Sequence, residues 1–499
     1  MTTPRITQEA IADVPLLMYV LHEKLGYDEI LDQISPRHKN WQGLSLGKTM
    51  VTWLAHILSE HNHYMSHVQD WVAQMPHLWA GLWKQAVRPL DVSDDRLAEV
   101  VRRLSLSEVW EPLEQQIAQR MVRVYELPSE RVRLDTTTAK VYGGNDLSVL
   151  FQRGHSKDHR PDLRQLKVML AALDPLGVLV GADVVSGNTA DDGLYVPMIA
   201  RLRSSCPPKG LLYIGDCKMG ALATRAYVSQ TGNSYLMPLA QVGGLPEQLE
   251  KWVDDAVRGK VRLQPVWDVD GKTRLGEAYE HVRRLSAETE TGTVVWNERV
   301  LIVRSMVYAK AAVHSLHQRL AQAQVELRAL TPPRGRGQRQ FTGETALQAA
   351  VDTILERYAV NGLLTVKLQR ETESRRMRAY GNLPARQEER HRYLVQVKEN
   401  RARLRTLEPR LGWRVYATNA PARQLPLGQA VLTYRDEWLV ERNCARLKGR
   451  TLSLAPLWVR RDDHALGLTR LLTLAARVLA VVEYQARRSL AQDDRTLLG

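Results

Sequence analysis

Cysteine is scarce in this chain. Cys206, Cys217 and Cys444 are the only three in 499 residues, an odd number with no CxxC pair and no Cys/His spacing of a zinc site. A disulfide framework and a structural zinc are therefore excluded as organising devices, and a reducing cytoplasm fits best. Long apolar runs are missing as well. The opening MTTPRITQEAIADVP has no basic stretch followed by an apolar one, and the best apolar segment, LLTLAARVLAVVEY, is short and broken by Arg477. Neither secretion nor a membrane span is expected. There is also no GxxxxGK followed by Ser or Thr, so no nucleotide cofactor is expected.

What is present is a hydrophobic content of 44% in a chain long enough for two to four domains. The net charge is +14 and the pI is near 9.7, a balance suited to a polyanionic partner. Residues 319–405 hold 18 Lys+Arg against 9 Asp+Glu, hence +9 of that excess. Such a stretch is either a solvated basic face or a nucleic-acid groove, and charge alone does not choose.

Residues 1–128 show apolar spacing of three and four, as in VPLLMYVLHEKLGYDEILDQI and LSLGKTMVTWLAHILSEHNHY, which predicts an all-α N-terminal domain. His56, His61, His63 and His67 crowd this stretch without the acid-and-histidine spacing of a metal site, so they read as helix-surface or core residues. From 129 to 242 the pattern becomes short apolar runs: RVRLD, LKVMLAAL, VLVGADVV, a helix near 190–203, GLLYIGD, the helix MGALATRAYVSQ and the strand SYLMPLA. That order predicts an α/β sheet with crossover helices. Residues 243–397 interrupt it with a two-stranded stretch, a long helix to Leu330 and the loop TPPRGRGQRQ, whose Arg334, Arg336 and Arg339 are candidate DNA contacts. The α/β pattern resumes over 398–455 with the strand GWRVYATN and a helix over 432–449. A last helix occupies 456–499, where Leu468, Leu471, Leu472, Ala475, Val478, Leu479 and Val482 form a wide apolar stripe. That stripe suits either a dimer contact or the protein's own core.

Asp135 and Asp216 are read at the ends of strands, and Glu441 in the middle of a helix. Neighbouring strand ends bring side chains together, and a helix beside them can add a third carboxylate. All-oxygen ligands suit Mg²⁺. Two such ions flanking a phosphodiester can activate the attacking oxygen and stabilise the leaving one.

These acids sit in LDTTT, GDCKMG and the run Tyr434-x2-Glu437-x3-Glu441-x6-Lys448. The set resembles the three acidic motifs of bacterial insertion-sequence DDE transposases, in the superfamily with the Tyr-x2-Arg-x3-Glu-x6-Lys signature. GHSKDHRPDLRQLKV and SGNTADD are similar to elements of one branch, and the likeness covers most of 85–488. It implies a ribonuclease-H-like catalytic core, a mixed sheet flanked by helices and interrupted by a partly β insertion, with the N-terminal helices binding element ends. Asp135, Asp216 and Glu441 are then catalytic and metal ligands for two Mg²⁺, which Mn²⁺ can replace. Tyr434 and Lys448 contact DNA backbone, and Trp413 stacks on an unstacked base, or else packs in the core. Glu437 stands where the family has Arg. On one continuous helix, Tyr434, Glu441 and Lys448 share a face, because seven residues make nearly two turns.

The implied partners are double-stranded DNA, as element ends and as target, and a second copy in a paired-end complex. The implied location is the bacterial cytoplasm, at the nucleoid. The implied activity is cleavage at terminal inverted repeats followed by strand transfer. A transposase-derived DNA-binding protein that no longer cuts, and a stand-alone nuclease on the same core, are the rival readings.

Overall fold

The computed structural model describes residues 13–36, 40–142, 147–157, 159–290, 292–333, 341, 343–377, 386–436 and 438–493. Two compact units emerge: residues 1–240, 282–300 and 416–499 in the first, residues 241–281 and 301–415 in the second.

In the first unit the described residues before 126 form helices and turns only. Apolar spacing explains them. The helix Leu46–Glu60 is capped by Ser45, whose hydroxyl accepts the Lys48 N–H, and it buries one side chain after another from Leu46 to Leu58. Trp53, Trp79 and Trp110 are wholly buried. His56 lies among them, edge-on to Trp71, and burial pushes its pKa down to about 4, so it is a neutral core residue. These helices do not stand apart as a unit of their own; they share one hydrophobic core with the sheet that follows.

That sheet is mixed. Strand β1 is Arg131–Val141, β2 Arg164–Leu173, β3 Val178–Ser186, β4 Leu212–Gly215 and β5 Ser234–Pro238. Their order is β3-β2-β1-β4-β5, with β1 antiparallel to β2, β2 antiparallel to β3, and β1, β4 and β5 parallel. Residues 416–418 of the strand Trp413–Thr418 add antiparallel to β5. Strands buried on both faces read as continuous apolar runs, which is why LKVMLAAL and VLVGADVV were legible.

The helix Asp462–Gln492 packs on β3 and on the helices Asp94–Leu104 and Leu46–Glu60. At 31 residues it exceeds the short apolar segment seen in sequence, and by length and composition alone it could cross a membrane; here most of its apolar window is buried inside the protein. Leu468, Leu471, Leu472, Ala475 and Val478 are at most 4% exposed, so the stripe offered as a dimer contact packs in the chain's own core. Gly467 lets this helix approach the Val101 carbonyl more closely than any Cβ permits.

The second unit holds the helices Leu245–Val257, Met306–Ala329 and Glu344–Arg357, and a two-stranded ribbon, Leu364–Met377 against Arg386–Glu399. Its small core joins Leu316, Leu320, Leu327, Val351, Ile354 and Leu404. The interruption read as 243–397 therefore begins and ends near this unit, but 282–300 returns to the first. Arg334, Arg336 and Arg339 lie outside the described residues.

Candidate active site

The parallel ladder of β1 and β4 ends with Leu134 opposite Gly215. The next residues are Asp135 and Asp216, so their backbones follow at roughly one strand spacing, about 5 Å, and the Asp216 charge is felt at Asp135. Asp135 is not at the end of its strand as expected; β1 runs six residues further because β2 continues to pair with it beyond the last β4 residue. Asp216 caps the following turn, accepting the Lys218 N–H at 2.8 Å.

Three residues that sequence reasoning passed over complete the surroundings. The Lys157 ammonium lies 3.1 Å from Asp135 Oδ1 and also donates to the Thr136 carbonyl. The Tyr195 hydroxyl, on the helix Tyr195–Leu202, donates to Asp216 Oδ1 at 2.6 Å. Asp191 pairs with buried Lys167 of β2 at 2.5 Å. Lys157 lies inside GHSKDHRPDLRQLKV and Asp191 inside SGNTADD, but nothing in their spacing says that they stand near the aspartates.

Electrostatics follow from this crowding. Burial raises the Asp135 carboxyl above its ordinary value, the Asp216 charge adds to the rise, and Lys157 with the Thr136 N–H opposes it. Burial works to lower the Lys157 ammonium, yet Asp135, Asp216 and Asp191 outweigh it and hold the group above its usual value. The Tyr195 hydroxyl is pushed far up by burial and by Asp216, so it stays a donor at any working pH. Two adjacent carboxylates with a cation already drawn to them are a fitting seat for a hard divalent ion, since all donors are oxygen.

Glu441 reaches this face by way of its helix. Odd-numbered residues of β1 share one side of the sheet. On that side Arg133 donates to the Thr433 carbonyl, and Thr137 hydrogen-bonds with Cys444, whose thiol burial and the Asp135 charge push up to about 12. Asp135 falls between the two contacts. Glu441, Cys444 and Lys448 lie at i, i+3 and i+7, so they share a stripe of the helix Trp438–Lys448. The helix is held from behind by Arg442 and Arg446 on Glu483. Glu441 itself is exposed, and among the described residues no three His, Cys, Asp or Glu stand close enough to hold a metal ion. The structure brings Asp135 and Asp216 together and sets Glu441 on their side of the sheet without joining them.

Two other expectations are corrected. The helix over 432–449 is two helices, Leu427–Arg435 and Trp438–Lys448, so Tyr434 does not share a continuous face with Glu441. Tyr434 is 7% exposed and packs on Tyr416 with ring centroids 4.8 Å apart. Trp413 is 9% exposed and its indole N–H donates to the Pro409 carbonyl, which favours the packing alternative over the stacking one. Lys448 is half-buried. Glu437 lies outside the described residues.

Paired carboxylates following a parallel ladder, on a mixed sheet, are a donor set that suits a hard divalent cation. The family described as Transposase DDE domain matches residues 129–476, and the chain belongs to that family. Its members generally depend on divalent metal ions. Among solved structures, the cryo-EM structure of a piggyBac transposase synaptic complex with hairpin DNA is similar over 98% of this chain and 78% of that chain, at 8% identity and a TM-score of 0.38, a likeness too loose to carry any residue across. No curated protein sequence matches the chain.

Tyr195 can be tested as a positioning residue. Tyr195→Phe removes one hydrogen bond from Asp216 and nothing else of size, and outer hydrogen bonds of this kind are worth about 10–100-fold in metal affinity or activity. Titration with Mn²⁺ should show a loss in that range. Unchanged Mn²⁺ affinity would reduce Tyr195 to a core residue.

Proposed function

We propose that this chain is the transposase of a bacterial insertion sequence, binding the terminal inverted repeats of its element, cutting DNA there and joining the freed 3′ ends to target DNA. The observation that carries the reading is Asp135 beside Asp216 with the Glu441 helix over the same face of β1. The strand order β3-β2-β1-β4-β5, with the first three antiparallel, supports a ribonuclease-H-like core.

Asp135, Asp216 and Glu441 would hold two Mg²⁺, or Mn²⁺ in their place, and the bound ions supply activation of the attacking oxygen and stabilisation of the leaving one. Lys157 leaves the acid pair when it is neutralised from outside and then faces the DNA backbone as a point charge. Lys448, two turns beyond Glu441 on one stripe, is a second backbone contact. Tyr434 supports the Tyr-x2-Arg-x3-Glu-x6-Lys signature by position and the fold by packing on Tyr416. The unbalanced charge of 319–405 suits a long DNA contact outside the site. Joining two ends in one event needs two sites held together, which makes a homodimer the working form and the nucleoid its place.

The test starts from the DNA flanking the coding region, where short imperfect inverted repeats bounded by direct repeats should be found. A fragment carrying those repeats, incubated with the protein and Mg²⁺, should be cut at the repeat boundary and joined to a target plasmid, and EDTA should stop both. Glu441→Ala should lose cutting and keep binding. Binding by the wild type with no cutting in Mg²⁺ would instead identify a derived DNA-binding protein, and cutting undiminished in Glu441→Ala would place the third acid elsewhere.

A further inference from the structure

Trp458 is 69% exposed, the most exposed large aromatic side chain among the described residues. It is not loose. Leu457 bridges in parallel to Val141 at the end of β1, its N–H donating to the Lys140 carbonyl at 3.0 Å while its own carbonyl accepts the Tyr142 N–H at 2.9 Å. That pins the backbone just before Trp458, whose ring stacks on Tyr142 with centroids 5.1 Å apart and planes 21° from parallel. A water-facing indole held on a tyrosine by two backbone hydrogen bonds is a preorganised platform.

Its neighbours are charged. Arg160 interacts with the Tyr142 hydroxyl and is held by the Asp162 carboxylate through two hydrogen bonds at 2.8 and 2.7 Å, an exposed ion pair that a phosphate can replace, and Arg153 also acts on Asp162. Arg460 follows Trp458 by two residues and is exposed. Arg160 sits three residues after Lys157, so one short loop reaches from the acid pair to the platform. Along β1, Asp135 to Val141 is six residues, about 20 Å. At 3.4 Å per nucleotide of stacked strand, that is roughly six nucleotides of DNA.

We propose that the Tyr142–Trp458 stack is a base-stacking site for an unpaired nucleotide of the DNA whose backbone lies at Asp135 and Asp216, with Arg160 and Arg460 holding the flanking phosphates. The occupant is a nucleobase rather than an apolar protein surface because exposed arginines lie close by, Arg160 at the Tyr142 hydroxyl and Arg460 two residues along the chain, and an indole face accepts any base. This rests on the reading of the chain as a DNA-processing enzyme and adds a contact for which Trp413, being buried, is poorly placed.

The probes are a blunt DNA duplex and the same duplex with a short thymidylate overhang carrying one 2-aminopurine. The full-length wild type should bind the overhang form about tenfold more tightly, the lower part of the range for one stacked base, and should quench the 2-aminopurine. Trp458→Ala should erase that preference and the quench while leaving blunt-duplex affinity and melting temperature as in the wild type; Trp458→Phe should restore part of the preference. A Trp458→Ala protein that keeps the preference overturns the site, as does a wild type with none. A change of oligomeric state in Trp458→Ala, with the preference intact, makes the ring a contact between copies and also overturns it. A wild type that binds neither duplex brings down the functional reading itself, and this site with it.

Discussion

Asp135→Ala and Asp216→Ala are each expected to lower Mg²⁺-dependent cleavage by more than about 100-fold while leaving retention of DNA nearly unchanged. The lower bound follows from comparison. Removing a hydrogen bond that merely supports a ligand costs about 10–100-fold, so removing the ligand costs more. Retention survives because affinity for DNA comes mainly from cations distributed over the surface, of which the chain has a large excess. The two variants should differ in one respect. Asp135→Ala also releases Lys157, which pairs with the Asp135 carboxylate, whereas Asp216→Ala leaves that ion pair and strands the Tyr195 hydroxyl in the core. Mn²⁺ titration should therefore show weakened binding in both, with a loss of stability only in Asp216→Ala. Cleavage near the wild-type rate in either variant removes that residue from the site.

The parts of this site that sequence could show were those set by local rules. β1 to β5 announced themselves as buried apolar runs, and the two aspartates were visible because each follows such a run. Glu441 does lie on a helix, but that helix was read through a break. LTYRDEWLVERN contains no glycine or proline, and its spacing of apolar and polar residues passes across Arg435 to Trp438 without a mark, so the turn at Asp436 is a tertiary effect. Burial of Trp413 and exposure of Trp458 are likewise decided by what packs around them, not by the residue or its neighbours in the chain. The ribbon Leu364–Met377 with Arg386–Glu399 escaped for a different reason. The stretch QRETESRR of its first strand is wholly polar and charged, so the apolar alternation by which a strand is normally recognised is missing there. Lys157 meets Asp135 across 22 residues and Tyr195 meets Asp216 across 21, and no spacing rule reaches that far.

The largest effect on stability is expected from Glu114→Ala. Glu114 lies in the helix Ser107–Tyr125 with its side chain 4% exposed. Its Oε1 accepts the Ala182 N–H of β3 at 2.7 Å and the guanidinium of Arg477, and its Oε2 faces Arg201 at 3.2 Å. Arg477 is wholly buried in the C-terminal helix, and its Nε and Nη1 find no hydrogen-bond partner among the described residues, so Glu114 is the group that compensates its charge. One carboxylate thus ties the N-terminal helices, the sheet and the C-terminal helix. Taking it away leaves an uncompensated buried cation, a loss of about 3–5 kcal/mol, and an orphaned strand N–H besides. Against a total stability on the order of 5–15 kcal/mol, that is a third or more of the margin for most of the range. Because the damage is mainly the stranded charge, Glu114→Ala with Arg477→Met should recover much of the loss, since methionine fills similar space without a charge. Thermal melts of the three proteins decide it. A Glu114→Ala melting point equal to that of the wild type would mean that water reaches Arg477 and that the apolar stripe of the C-terminal helix, not this ion pair, holds the three layers together.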